Sequence, residues 1–397
     1  MKIKRFLPYS KQHISNKDIK KVVEVLKSNF ITQGPEITNF EKEFAKYVGS
    51  KYAVACATGT AALHISCLSL GINKKSRILT TGVTFVATAN CAEYLGAKVN
   101  FVDIDKNTHC ISVKNLEKKL KNGQKVNLVI VVHMAGHSAD MKRILRLKRK
   151  YNFKLIEDSC HALGGSYENY KVGSCKFSDI STFSFHPVKP ITTGEGGMIT
   201  TNNKKIYERL LLFRTHGIHK NPKKFINKKL GFEKKNQANR WYYEMTNLGY
   251  NYRITDIQAA LGSSQLQRIN AITTKRNKIA EFYNKEFKNY NGIVTPSKQR
   301  NIIHAYHLYT LLIDFKKFKI SKNYFMTRLA QEGVGSQVLY IPVFLQPYYK
   351  KKYNYNIKNF PNSMSYYNKA VSIPIFDDIT KKELNHVSRV IKKILNI

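Results

Sequence analysis

The sequence predicts an α/β protein: a large domain on a mainly parallel sheet, followed by a smaller C-terminal α+β domain. Three observations predict it. Short apolar runs alternate with stretches of helical periodicity between residues 52 and 158, the pattern of a parallel sheet covered on both faces. Two further apolar runs, 180–185 and 198–201, bracket a turn that prolines and glycines close to regular helix. Past residue 290 the spacing loosens into isolated strands and helices, which suits a smaller unit with a mixed sheet. The division expected is 1–255 for the large domain, with its N-terminal helical segment, and 256–397 for linking helices plus the small domain.

Taken in order, Ser15 is placed to cap a helix over 15–27, where Ile19, Val22, Val23 and Leu26 recur at helical spacing. Gly34 and Pro35 break it, and a second helix follows over 37–47. From Tyr52 to His64 the chain reads as a short apolar strand, a small-residue turn and a helix. Strands are then expected at 78–81, 98–102, 128–132 and 154–158, with helices over 85–95, 112–120 and 139–151 between them. A long lysine-rich loop, 216–240, leads into an aromatic cluster at 241–253. Thr255 and Asp256 open a helix carrying Ile257, Ala260, Leu261 and Leu266, and another spans 271–287. The C-terminal unit is expected to hold strands at 306–313, 337–341 and 371–375 and helices over 324–332 and 381–395.

Composition narrows the functional classes. With 67 Lys and Arg against 26 Asp and Glu the formal charge is +41, which can serve nucleic acid, an acidic surface or an anionic substrate. The lysines run the whole length without a nucleic-acid-binding motif, so a general lysine bias on solvated faces is the expected reading. Hydrophobic residues at 43% suit a globular chain. No apolar run is long enough for a signal peptide or a membrane span. Six cysteines lie scattered without a C-x-x-C pair, which fits reduced thiols in the cytoplasm and argues against a metal site.

Lys189 is the residue around which the chain is organised. Pro187 and Pro190 restrict the backbone on both sides of it, and Gly194-Glu195-Gly196-Gly197 follows. An amine held this way can add to a carbonyl once burial or a neighbouring cation lowers its pKa from about 10.4; the alternative is one more surface lysine. Thr58-Gly59-Thr60 sets backbone N–H groups at a helix start, where a phosphate is favoured, although it lacks the residues of a P-loop. Asp158 ends an expected strand, where ligands of parallel sheets bind. It is a candidate partner for a cationic ring nitrogen, or a cap for the next turn. His161 either lines the same pocket or is a satisfied core histidine.

Several ordered motifs carry a resemblance that covers the whole chain. Gly59-Thr60-Ala61-Ala62-Leu63, Thr84-Phe85-Val86-Ala87-Thr88, Ile156-Glu157-Asp158, Phe183-Ser184-Phe185-His186 with Lys189, Arg214-Thr215-His216-Gly217 and Gly249-Tyr250-Asn251-Tyr252-Arg253 resemble the DegT family of sugar-nucleotide aminotransferases. That resemblance implies the fold type I of pyridoxal-phosphate-dependent transferases, with a seven-stranded sheet, and pyridoxal 5'-phosphate (PLP) as cofactor. Lys189 is then the lysine that bonds the cofactor aldehyde and shuttles the proton. Thr58, Gly59, Thr60 and Ser184 hold the phosphate, joined by Asn251 from the neighbouring subunit of a homodimer. Phe85 stacks on the ring, Asp158 pairs with its nitrogen and His161 faces it.

Within the family, the run 186–197 is similar to members that aminate C4 of a UDP-linked 4-keto-6-deoxy-N-acetylhexosamine in pseudaminic acid synthesis. On that likeness Tyr9, the segment Asn29, Phe30, Ile31 and Thr32, and the segment Tyr340, Ile341, Pro342 and Val343 contact substrate. Glutamate is the implied donor in a ping-pong cycle. Two other readings stay open: a relative acting on another keto sugar nucleotide, at C3 or dTDP-linked, and a basic nucleic-acid-binding or regulatory protein on the same fold.

Overall fold

The computed structural model describes residues 5–233, 237–297 and 299–397. Helix α1 (Asn16–Leu26) starts from a capping box in which Ser15 and Asp18 satisfy each other's backbone N–H. Pro at its first turn opens α2 (Pro35–Val48), and Gly49 at φ 77° closes it. The large sheet then assembles from β1 (Tyr52–Cys56), β2 (Arg77–Thr81), β3 (Lys98–Val102), β4 (Leu128–Val132) and β5 (Lys154–Asp158). Between them lie α3 (Gly59–Ser69), α4 (Ala87–Glu93), α5 (Val113–Lys121) and α6 (Met141–Tyr151).

A two-strand flap, β6 (Ser166–Tyr167) and β7 (Tyr170–Lys171), precedes the last two sheet strands, β8 (Ile180–Ser184) and β9 (Gly197–Thr201). The strand order is β1-β9-β8-β5-β4-β2-β3, and β9 alone runs antiparallel to its neighbours. Strand β4, Leu-Val-Ile-Val-Val, is buried along its whole length, as a central strand covered on both faces must be. Each such side chain contributes about 1.5–3 kcal/mol on burial. The carboxyl ends of β4 and β5 are therefore a stiff platform. Core clusters lie on both faces: Leu63, Ile130 and Ile156 on one, Val129, Val131 and Leu155 on the other.

After α7 (Lys204–Arg214) the long segment carries β10 (Ile218–His219), a single helical turn, α8 (Lys228–Gly231), and β11 (Glu244–Met245), paired with β10. Of the loop expected over 216–240, residues 234–236 lie outside the described ones. Helices α9 (Asp256–Leu266) and α10 (Ile269–Phe287) follow, the first from a Thr255–Gln258 capping box.

The C-terminal unit holds β12 (Ile293–Val294), β13 (Ile302–Ile303), β14 (Tyr309–Ile313), α11 (Lys322–Gln331), α12 (Pro347–Tyr353), α13 (Pro361–Lys369), β15 (Ala370–Ile373) and α14 (Lys381–Leu395). Strand β13 pairs with β6 of the flap, whereas β12, β14 and β15 form one wholly antiparallel sheet. This corrects the mixed sheet expected from the sequence. Residues 337–341 form no strand: they meet the sheet only where Gln337 bridges Ser372, then turn toward Tyr340 and Pro342, which has no N–H to pair. The N-terminal segment joins this unit, with Leu7 bridging Val334 and buried in its core, and Tyr9 accepting a hydrogen bond from the Ile375 N–H at 3.0 Å.

Candidate active site

A cavity of about 580 Å³ opens at the carboxyl ends of β4, β5 and β8. The β8–β9 connection forms one wall and is tied down along its length. The Lys189 N–H donates to the His186 carbonyl at 2.8 Å, Ser10 Oγ donates to the Val188 carbonyl at 2.9 Å, and the Thr192 N–H donates to Gln265 Oε1 at 2.9 Å. With Pro187 and Pro190 these bonds leave the backbone of Lys189 little freedom, and its side chain lines the cavity. Burial lowers the Lys189 pKa, against the opposite pull of Cys160 and Asp158. Its Nζ lies 3.4 Å from Nε2 of His307.

Across the cavity Asp158, 5% exposed, ends β5. Its Oδ2 accepts from Thr88 Oγ1 at 2.7 Å and its Oδ1 accepts from the Cys160 N–H at 3.2 Å. Thr88 in turn lies 2.7 Å from Thr84, hydroxyl to hydroxyl. Two donors thus fix the carboxylate in one rotamer. His161 Nε2 is 3.0 Å from the Tyr340 hydroxyl and the two rings lie parallel, whereas His161 Nδ1 is buried with no partner. Burial, then the nearby Lys189, holds the His161 pKa well below its ordinary value. Helix α4 begins at Ala87, two residues later than expected, which leaves Phe85 on the preceding loop and 55% exposed to the cavity.

The third wall is the start of α3. Thr58 Oγ1 caps the helix by accepting from the Ala61 N–H at 3.0 Å, so its hydroxyl serves the helix and the Gly59 and Thr60 N–H groups remain at the open end. A Cβ on Gly59 would lie 2.7 Å from Ser184 Cβ, and one on Gly197 would lie 2.4 Å from the Thr58 carbonyl oxygen. Glycine at both positions lets β8, β9 and the α3 turn close into one cradle.

An amine with lowered pKa, a carboxylate held by two donors and a helix start thus face one cavity. The model of the DegT/DnrJ/EryC1/StrS aminotransferase family matches residues 12–393. The chain belongs to this family.

Among relatives of this aminotransferase is the UDP-4-amino-4,6-dideoxy-N-acetyl-beta-L-altrosamine transaminase of Campylobacter jejuni, 38% identical over 390 residues and covering 98% of this chain and 97% of the relative. Helicobacter pylori PseC, an aminotransferase involved in pseudoaminic acid biosynthesis, superposes with a TM-score of 0.88 at 29% identity, covering 99% of this chain and all of that one. The sugar aminotransferase fold recurs in Streptococcus pneumoniae Spr1654, solved in PLP and PMP forms, with TM-scores of 0.86 and 0.87 at 24% identity and 98% and 99% coverage of the two chains.

In this aminotransferase Thr58, Gly59, Thr60, Phe85, Asp158, His161, Ser184, Lys189, Tyr9 and Tyr340 all line the cavity. The other residues singled out in the sequence do not line it within one chain. Asn29, Phe30, Ile31 and Thr32 are exposed, as are Asn251, which bridges Thr215, and Ile341. Val343 is fully buried in the core beside Phe344. Sequence reasoning missed Thr88, Glu195 and His307. Thr88 was within reach, because it ends the Thr84–Thr88 motif; nothing local marked His307.

Proposed function

We propose that this aminotransferase binds PLP in the cavity and moves an amino group from glutamate to C4 of a UDP-linked 4-keto-6-deoxy-N-acetylhexosamine. The observation that carries this reading is the pairing of Lys189 with Asp158 across one cavity, the amine's pKa lowered by burial and the carboxylate held by Thr88. The residues present fit the cofactor. His161 Nδ1 is a buried polar atom awaiting a partner, and the cradle at Gly59 and Ser184 is too close for a Cβ but open to backbone N–H donors.

The N-terminal turn of α3 and Ser184 would hold the phosphate, Asp158 would pair with the ring nitrogen, and Phe85 and His161 would pack against the ring. Bound there, PLP supplies an electron sink for the bond to hydrogen that must break. Lys189, once free, takes a proton from the donor's α-carbon and returns one to C4 of the sugar. Tyr9 and Tyr340 line the same cavity and would orient the keto sugar.

The active unit in this reading is a homodimer in which Asn251 reaches the neighbouring cavity. Supporting it, Trp241, Met245 and Leu248 are 71%, 62% and 75% exposed in the segment that carries Asn251, more apolar surface than a solvated hairpin needs. A cytoplasmic setting is supported by six unpaired cysteines and by the lack, among the described residues, of a helix long and apolar enough to cross a membrane. The test is incubation of the purified protein with glutamate and a panel of 3-keto and 4-keto sugar nucleotides, with the product read by NMR. A 4-amino UDP-sugar is expected; a product aminated at C3, or none, would overturn the substrate assignment.

A further inference from the structure

Lys189 Nζ lies 3.4 Å from His307 Nε2, which comes 118 residues later in the chain. His307 sits on the segment before β14, is 1% exposed and packs its ring 4.4 Å from that of His161. Two regions of the protein hold it there. From α10 the buried Arg276 donates through Nη1 to the carbonyls of Tyr306, His307 and Ile375, at 3.2, 3.4 and 3.2 Å. From the loop after β4, Gly136 and Ala135 offer carbonyls to the Ala305 and Leu308 N–H groups at 3.0 and 3.3 Å. Tyr306 has φ 43°, a left-handed conformation that costs a bulky residue energy and persists where the surroundings over-determine it. A Cβ on Gly136 would lie 2.8 Å from the His161 carbonyl oxygen and 2.9 Å from the Tyr306 nitrogen, so the strained segment and the His161 loop meet at backbone contact. These contacts fix the backbone on both sides of His307; of its ring, Nε2 lies against the Lys189 amine, and Nδ1 is buried without a hydrogen-bond partner among the described residues.

We infer that His307 is a positioning residue for Lys189: its Nε2 accepts a hydrogen bond from the amine whenever the amine is free, and so sets the direction from which the lysine meets its carbonyl partner. The inference rests on Lys189 being the reactive amine of the proposed function. The surrounding charges agree with an accepting, neutral ring. Facing it are Lys189 and His186 from the β8–β9 connection, His161 from the loop after β5, and Arg276 from α10, while Asp158 at the end of β5 and Cys160 just after it act on Lys189. Burial first, then Lys189, His161, Arg276 and His186, hold the His307 pKa well below the ordinary histidine value.

Two measurements on the full-length protein test this. In the first, protein freed of cofactor is treated with a limiting amine reagent across a pH series, and the Lys189 peptide is quantified by mass spectrometry. A hydrogen-bond acceptor favours the ammonium form, so His307→Phe should move half-labelling to lower pH and raise labelling several-fold on the acid side of the wild-type midpoint. His307→Gln, whose side-chain oxygen reaches the Nε2 position, should restore the wild-type curve, and His307→Asn, which falls short of it, should resemble the Phe variant. In the second, the loaded enzyme's kcat should fall at least tenfold in the Phe and Asn variants, with KM for both substrates within about twofold, and recover in the Gln variant. Coincident labelling curves for wild type and both impaired variants would overturn the proposal, as would a Gln variant as defective as the Phe variant. Labelling requires no transamination, so loss of the aminotransferase reading would leave this outcome readable on its own.

Discussion

Thr88 Oγ1 lies 2.7 Å from Asp158 Oδ2, and both are buried beneath the cavity. The hydroxyl keeps the carboxylate in one rotamer while its other oxygen takes the Cys160 N–H. A hydrogen bond to a charged group is worth about 1.5–3 kcal/mol, which corresponds to about tenfold to a hundredfold in rate if spent on orienting Asp158. Thr88→Val is therefore expected to lower kcat by that factor while the protein still binds PLP. Asp158→Asn should cost more, and parallel measurement of kcat and bound-cofactor absorbance separates the two. A Thr88→Val enzyme of normal rate would mean that Cys160 alone suffices.

Gly59 stands against Ser184 with no room for a methyl group between them. Gly59→Ala must push the α3 turn off β8, and small-to-large changes of this kind cost about 1–3 kcal/mol. The displaced atoms are the N–H groups proposed to take the phosphate, so the cost should fall on cofactor affinity. Titration of cofactor-free protein with PLP should give a Kd raised by about tenfold or more, since each tenfold is about 1.4 kcal/mol. An unchanged Kd with a lowered melting temperature would move the role of Gly59 from binding to folding.

The same residues show what was legible before the fold was known. Strands β3, β4 and β5 fall on the residues expected, because each is a short apolar run bounded by breaks in hydropathy and the order of alternation leaves one plausible sheet. Helix α7 went unread because its apolar residues, Leu210 to Phe213, are contiguous and mimic a strand more than a helix face. Helices α12 and α13 hide among lysines and tyrosines, and the tyrosine rings pack as well as aliphatic residues do. Residues 337–341 read as a strand because Val338, Leu339 and Tyr340 have strand propensity, yet their partners are the cavity and His161. Within the site, residues on one motif were visible together. His307 was not, since its contact with Lys189 depends on how the C-terminal unit docks on the loop after β4, which no local pattern encodes.

Lys189 gives a pH dependence with a definite sign. The amine must be neutral to form a bond, and burial lowers its pKa while Cys160 and Asp158 raise it. The rate at which cofactor-free protein takes up PLP should therefore rise with pH and level off above the lowered pKa, below the ordinary lysine range. Below that pKa it should fall by about tenfold per unit. Asp158→Asn removes one of the charges that favour the ammonium form, so its rising limb should shift toward lower pH even as its turnover drops. Lys189→Ala should lack, at every pH, the absorbance that comes from the covalent bond between the lysine and the cofactor. A rising limb at the pH of a free lysine would contradict the burial argument.

Asn251 is exposed, bridges Thr215 and does not line its own chain's cavity, so its proposed role requires a second subunit. Subunit complementation tests this directly. Asn251→Asp sets a negative charge against the phosphate and should inactivate both sites of its homodimer, and Lys189→Ala should inactivate both sites of its own. In a hybrid dimer one cavity receives the intact lysine and the intact asparagine from different chains, while the other receives both defects. Random reassortment of a one-to-one mixture under two-fold symmetry makes half the dimers hybrid, each with one working site, so activity should return to about a quarter of wild type. If Asn251 instead acted within its own chain, no hybrid site would be restored by the exchange, because each subunit would keep its own defect, and the mixture would stay as inactive as its parents.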